Sequence, residues 1–517
     1  MKTFSLKKGI TATLTAIATA AFAAAAAAQL FSHGRFLTLD LGLARYGRGD
    51  GGLPALLVFL AVLSVLTPLL WRTYARKSHK EFLAPGLYHY YDARKFGARR
   101  IHLRVEPDMS SILMIDAYRV VHLNATATAM VKYFLDDFPQ PESLRRLTAA
   151  FHVSRAKAKR DYQETLEKID LLVNHGDFCP VSYFGIEKIE AFQTPVSAPY
   201  RMDLALTYRC NVNCSHCYNQ RRESTELSTD DWKKILKILW DNGIPHVDFT
   251  GGEPTLREDL LELVAYAEDL GFITGLLTNG VRLADESFVA PLKAAGLDYV
   301  QITLESQHEE IHNRMVESDA FAKTVQGIKN VVAHSIHVIT NSTIIAANRD
   351  HIDGLIPFLK KLGVRSFAVN SVIKAGKSRH LDNGLSEKEL LPMLNRLRLQ
   401  AEREEMKFTW YTPTQYCRLN PVESDLGVKQ CTAGKYNLAI EPDGTVIPCQ
   451  SFFRPLGNIL QDPFEQIYNH DLLIALRRRD WAMDKCRDCE WLATCGCGCP
   501  LQISEDSFCC PDLLSNP

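Results

Sequence analysis

No cysteine precedes Cys179, although the chain holds fourteen. Nine of them lie from Cys431 onward, and three sit together at Cys210, Cys214 and Cys217. Such crowding reads as disulfides or as metal ligands, and compartment decides between the two. Neither sign of charge prevails. With 59 Lys and Arg against 60 Asp and Glu, the net charge is −1, which removes the electrostatic case for nucleic acid as a partner. At 517 residues the chain is too long for one ordinary core, and domain sizes imply about three units.

Charge is missing altogether from two stretches near the N-terminus. None occurs between Lys8 and Arg35, where the run 10–31 is dominated by alanine and threonine. A second uncharged run, 51–71, is richer in leucine and valine. About twenty apolar residues span a bilayer. Lys2, Lys7 and Lys8 precede the first run, and Arg72, Arg76, Lys77 and Lys80 follow the second. The positive-inside rule places both flanks in the cytoplasm, with an outside loop at 32–50. The basic start and the alanines ending near Ala28 also read as a cleaved signal peptide, and the second run then still leaves its basic flank inside. A buried hairpin of a soluble protein is a third reading, but the second run has almost nothing polar to face water. The expectation is a membrane anchor of two transmembrane helices over 1–80, with the catalytic domains on the cytoplasmic side. Thiols stay reduced there, so clustered cysteines favour metal.

Short β-type runs at 101–105 and 112–115 precede helical periodicity at 128–135 and from Pro141, with Ser154 placed to cap a third helix running to about Val173. Strands followed by three helices over 81–190 resemble the PqqD-like peptide-recognition domain. That family is a winged-helix unit that binds the leader of a precursor peptide by strand addition. A plain winged helix or spacer fits equally well. The stretch 186–200, with Pro195 and Pro199, reads as a linker.

The run 202–207 reads as a buried strand leading into Cys210, Cys214 and Cys217, spaced CxxxCxxC. Three thiolates hold three irons of a 4Fe–4S cube and leave the fourth open; alternatively, three cysteines hold zinc. A second strand at 246–250 ends in Gly251-Gly252-Glu253-Pro254. Triad and GGEP together closely resemble the radical S-adenosylmethionine (SAM) superfamily. The resemblance implies that SAM chelates the open iron, that the glycines admit its methionine part, and that Glu253 receives its ammonium. It places His216 where the family has an aromatic residue near the adenine. Further strands at 272–277, 299–304, 337–345 and 366–372 alternate with helices such as 257–270 and 321–332. Near-continuous apolar strands of this kind imply a parallel sheet. The family's partial (β/α)6 barrel is expected over 198–415, with its site at the C-terminal strand ends. Thr278-Asn279-Gly280, Glu305, Ser306 and Asn341 fall there. By resemblance they contact the SAM ribose and carboxylate, although Glu305 stands where many relatives have aspartate.

From 416 to 517 the cysteines resemble the SPASM domain, which carries two auxiliary 4Fe–4S clusters. Cys431 precedes Gly444 and Cys449, and Cys486, Cys489, Cys495 and Cys499 follow as CxxCxxxxxCxxxC. A zinc ribbon would suit the Cys486–Cys489 pair alone. The family's ligation implies Cys431, Cys449 and Cys499 for the first cluster, with Cys417 a candidate to complete it. It implies Cys486, Cys489, Cys495 and either Cys509 or Cys510 for the second. Cys497 is a bystander in that scheme. Asp443-Gly444 reads as a hairpin turn. Sulfatase-maturing relatives have an aspartate after the cysteine matching Cys449; this chain has Gln450.

The fold class expected is therefore α/β: N-terminal transmembrane helices, a small winged-helix-like domain, a partial radical SAM barrel and a cysteine-rich SPASM domain. The resemblance implies an electron entering the Cys210 cluster from a low-potential donor such as ferredoxin or flavodoxin. SAM is then cleaved to a 5′-deoxyadenosyl radical that abstracts hydrogen. Three functions are carried forward: a peptide or protein maturase acting on a precursor peptide, an enzyme of cofactor or tetrapyrrole biosynthesis, and a non-enzymatic membrane iron–sulfur relay.

Overall fold

The computed structural model describes residues 64, 66, 83–91, 100–116, 119–174, 196–219 and 225–502. No described helix is long and apolar enough to cross a membrane. The two uncharged runs, apart from Ser64 and Leu66, lie outside the described residues, as do Cys179, Cys509, Cys510 and most of the expected linker.

The chain divides into two compact units. The smaller holds three helices, α1 (Ala125–Leu135), α2 (Gln140–Phe151) and α3 (Arg155–Asn174). Helix α1 starts three residues earlier than periodicity implies because Asn124 caps it, its Oδ1 accepting from Ala127 N at 2.9 Å. Pro141 sits in the first turn of α2, and Ser154 Oγ accepts from Lys157 N ahead of α3, both as expected.

The larger unit holds most of four strands, β1 (Gly86–Tyr91), β2 (Arg100–Val105), β3 (Ser111–Ile115) and β4 (Arg119–Leu123), hydrogen-bonded in that order, together with everything after Val173. Strand β2 is bolted to the barrel through buried polar side chains. Arg100 donates to Phe272 O and Glu268, His102 meets Gly271 O at 2.7 Å, and Arg104 donates to Pro199 O and Gly243 O.

The barrel is an open parallel sheet of β5 (Arg201–Thr207), β6 (His246–Gly251), β7 (Ile273–Thr278), β8 (Tyr299–Thr303), β9 (His337–Ile344), β10 (Ser366–Ser371) and β11 (Lys407–Trp410). Seven strands replace the six expected, since β11 is only four residues long and begins on a lysine. The sheet continues past β5 into β12 (Asn437–Ile440), which pairs with it in parallel, then β13 (Thr445–Ile447) and β14 (Gly457–Asn458). The auxiliary-cysteine region thus shares the barrel's sheet. Gly444, at φ +87°, turns β12 into β13, as the Asp443-Gly444 pair implied.

The strands are apolar on one face only. Met202, Leu204, Leu206, Val247, Phe249, Val300 and Ile302 pack in one core with Trp232, Ile235 and Leu263 of the surrounding helices. The alternate positions, Asp203, Asp248, Thr250, Tyr299, Asn341 and Asn370, share the opposite, lumen face by the period of two. The expectation of near-continuous apolar strands is corrected here: many of the lumen-facing alternate positions are polar.

Candidate active site

The loop after β5 carries Cys210, Cys214 and Cys217. It has no regular structure of its own and is pinned from outside. Asn213 N donates to Val316 O at 3.0 Å and Ser215 N to Met315 O at 2.9 Å. Lys377 Nζ donates to Asn213 O at 2.8 Å. Burial pushes the Cys214 thiol well up, and Glu305, Cys217 and Cys210 add to that. Such thiols keep their protons until a cation supplies the opposing charge, so the donor set fits an iron–sulfur cube. No three His, Cys, Asp or Glu side chains converge on a single-ion point among the described residues. A cube spreads its thiolates over several irons rather than gathering them on one ion.

His216 and Glu305 are both buried, and His216 Nε2 lies 2.9 Å from Glu305 Oε1. Burial by itself would depress the imidazole, but the Glu305 carboxylate outweighs it and holds the value above the ordinary one. Glu305 also accepts from Thr343 N at 2.8 Å, and its carbonyl accepts from Asn348 Nδ2 at 2.9 Å. Glu305 is therefore engaged with the protein at the end of β8, and Ser306 Oγ accepts from His308 N at 3.1 Å.

Gly251 and Gly252 lie where the ends of β5 and β6 cross. Gly252 N donates to Thr207 O at 2.7 Å and Glu253 N to Arg209 O at 2.8 Å. A Cβ on Gly251 would strike Thr207 O, and one on Gly252 would strike Arg209 O, so only glycine permits this approach. Pro254 opens the short 3-10 turn that follows. The Glu253 carboxylate is fully buried and takes four protein donors: Thr255 N, Thr255 Oγ1, Thr278 Oγ1 and Asn279 N, at 2.6–3.1 Å. Its carboxyl is raised by burial. In this structure it wires the end of β6 to the end of β7. Asn279 Nδ2 reaches Asn211 Oδ1 at 2.6 Å, beside Cys210. Asn341 stands inside β9 rather than at its end, and its buried Oδ1 has no hydrogen-bond partner among the described residues.

Two thiol groups form in the C-terminal region. Cys499 is pushed well up by burial and then by Cys431 and Cys449, while Cys449 rises to about 12 through burial and Cys431. Those three thiols lie close enough together to influence one another. Cys486, Cys495 and Cys497 form the other, with Cys489 exposed one turn from Cys486. Cys417, the candidate to complete the first set, stands beside Cys495. Tyr416 N donates to Cys495 Sγ at 3.3 Å, and Cys417 and Cys486 both raise the Cys495 thiol further once burial has done so. Cys497 is buried, with backbone φ +64°, and its thiol hydrogen-bonds with the Cys486 side chain.

Sequence reasoning missed the residues that bring the two ends of the site together. Tyr218, next to Cys217, donates to the side-chain oxygen of Gln450, next to Cys449. Asn219 donates to Gly251 O. A cavity of about 10 Å³, enough for one water, is enclosed by Ala205, Asn219, Thr250, Gly251 and Gln450. A larger cavity of about 210 Å³ lies at the opposite, N-terminal end of the strands, around Tyr200, Arg201, His246 and Tyr436. The cysteines and the GGEP turn fix the chemistry at the C-terminal end, where barrels of this kind carry it.

Residues 204–359 match the model of the radical SAM superfamily, and 431–490 match SPASM, an iron–sulfur cluster-binding domain. A 4Fe–4S cluster with SAM and auxiliary iron–sulfur clusters are the cofactors of these two domains. Among solved structures, Streptococcus suis SuiB bound to the precursor peptide SuiA is similar at a TM-score of 0.61 and 15% identity, covering 83% of this chain and 100% of that one. SuiB bound to S-adenosylmethionine gives 0.57 and 17%, covering 78% and 94%. Native anSMEcpe with bound AdoMet gives 0.47 and 18%, covering 58% and 89%. The two SuiB likenesses establish the fold.

Proposed function

We propose that this radical SAM enzyme modifies a peptide or protein. The observation that carries the reading is the contact between Tyr218 and Gln450, which sets the residue after the last SAM-cluster cysteine against the residue after an auxiliary-cluster cysteine. A substrate held there meets both ends of the site at once. The SuiB structure with a precursor peptide supports a peptide substrate, since its fold is matched over its whole length.

When bound, the cluster of Cys210, Cys214 and Cys217 and SAM supply a 5′-deoxyadenosyl radical. The chain's own residues prepare the place. Gly251 and Gly252 let two strand ends close together, Glu253 fixes the β6 and β7 ends, and the His216–Glu305 pair holds the cysteine loop over the lumen. Asn219 and Thr250 are buried here and leave room for one water beside Gln450. Cys431, Cys449 and Cys499 would hold the first auxiliary cluster. Cys486, Cys489 and Cys495, with Cys417 alongside, would hold the second.

A membrane tether belongs to the same proposal. Uncharged runs at 10–31 and 51–71, flanked by basic residues, support two helices with the catalytic parts on the cytoplasmic side. The strands and helices of 81–190 support a PqqD-like leader-binding role, and a ferredoxin or flavodoxin would deliver the electron.

The deciding experiment is anaerobic. The protein is reconstituted with iron and sulfide, reduced with dithionite and given SAM, and 5′-deoxyadenosine is assayed. Cys214→Ala is expected to abolish it while auxiliary cluster signals persist. Formation of 5′-deoxyadenosine by that variant would overturn the site. Sedimentation of the full chain with membranes, but not of a chain starting near Lys80, is the matching test of the tether.

A further inference from the structure

Asp203 and Asp248 are register partners on β5 and β6, side by side on the lumen face. Arg201 sits between them, its Nε 3.1 Å from Asp203 Oδ1 and 3.4 Å from Asp248 Oδ2. Their surroundings otherwise differ. Asp248 Oδ1 accepts from Tyr299 OH and lies 3.2 Å from His246 Nε2. Burial alone would raise this carboxyl, but His246, Arg201 and Tyr299 pull it down to about 2, so Asp248 stays charged and is a poor base. Asp203 is 2% exposed, and its Oδ1 makes no hydrogen bond among the described residues beyond the ion pair with Arg201. Its other partner is the Gln450 side chain. Burial pushes its carboxyl up, which makes it the stronger base of the two. Two carboxylates whose environments drive them apart take different roles.

Placement gives Asp203 its role. Gln450 bonds Tyr218 with its oxygen and Asp203 with its amide, so Asp203 lies on the same bridge between the two cysteine sets. A carboxylate at position 450 would face Asp203 directly and repel it. An amide there instead donates to Asp203 and leaves its charge unopposed from that side.

We propose that Asp203 is the catalytic proton acceptor of the reaction, taking a proton directly from the substrate. The inference rests on the peptide-modifying reading. An oxidative modification removes two hydrogens from the peptide. One leaves as a hydrogen atom to the 5′-deoxyadenosyl radical and becomes part of 5′-deoxyadenosine. The other leaves as an electron and a proton. The SPASM cysteines would hold an oxidised iron–sulfur cluster that would accept this electron. The Asp203 carboxylate takes the proton, and the remaining electron pair forms the new bond or double bond.

The test uses the full chain, reconstituted and reduced, with SAM and a peptide extract from host cells whose own copy carries Cys214→Ala. Both 5′-deoxyadenosine and peptides lighter by two hydrogens are measured. Asp203→Asn is expected to keep its iron and form 5′-deoxyadenosine, but to yield about a hundredfold less lighter peptide per 5′-deoxyadenosine. Asp203→Glu is expected to recover part of that ratio. An unchanged ratio in Asp203→Asn overturns the proposal, and so does a loss of both products in step, which marks a structural role. If the wild type forms 5′-deoxyadenosine but no lighter peptide, the peptide-modifying reading fails first and this assignment falls with it.

Discussion

His216 faces Glu305 across 2.9 Å in a site closed to water, so the loop bearing the three cysteines is latched to the end of β8. Breaking a buried pair by removing one partner costs about 3 kcal/mol or more, because the other is left uncompensated. Glu305→Ala is therefore expected to lose the SAM-binding cluster while the auxiliary clusters remain. Iron per chain and the EPR signal that responds to SAM would show it; an unaltered SAM-responsive signal would count against the latch.

Tyr299 reaches Asp248 only because Gly275 stands between them in register on β7. A Cβ at 275 would strike both Asp248 Oδ1 and the Tyr299 ring. Gly275→Ala is expected to cost about 1–3 kcal/mol by overpacking. Tyr299→Phe, which removes the hydroxyl alone, is expected to cost about 1 kcal/mol. Thermal melts of the two variants should separate in that order.

His102 is neutral in the fold: burial takes its value from 6.5 down to about 3. The unfolded chain therefore binds the proton first, and stability is lost as pH falls below about 6.5 toward about 3. By about pH 5 the loss amounts to about 2 kcal/mol. His102→Gln should remove that part of the slope. Urea midpoints of wild type and variant between about pH 7.5 and 5 would reveal it, and parallel slopes would contradict it.

Cys417 raises the Cys495 thiol, which places it beside the second set. Cys417→Ser is expected to perturb the second auxiliary cluster and spare the first, whereas Cys499→Ser does the reverse. Mössbauer or EPR spectra of the two variants should change in different components. A shared change would return Cys417 to the first set.

The parts of the site that were legible in the sequence are those set by local spacing. The cysteine triad, the GGEP turn and the Cys431–Cys449 interval are short-range patterns, and the structure brings their members together. The missed features depend on which distant segments meet. Asp203 hides in an apolar run, Met202-Asp-Leu-Ala-Leu, and nothing local marks it as facing Asp248 and Gln450. The resemblance assigns Glu253 and Glu305 to SAM, and nothing local in the sequence shows that Asn279 N and Thr343 N donate to their carboxylates across the strand ends. Strand β11 is too short to show a period. The partner of Cys417 is decided by how 414–417 folds against 491–497, which spacing along the chain does not encode.

Strand β12 lies beside β5 in one hydrogen-bonded ladder, with Leu438 opposite Met202 and Ile440 opposite Leu204. The cysteine-rich tail is therefore not a detachable cassette. A chimera that grafts another protein's tail after β11 must also reproduce the edge that β5 offers, or it leaves an apolar strand bare at the barrel's margin. In this architecture the two halves are inherited, or engineered, as a pair.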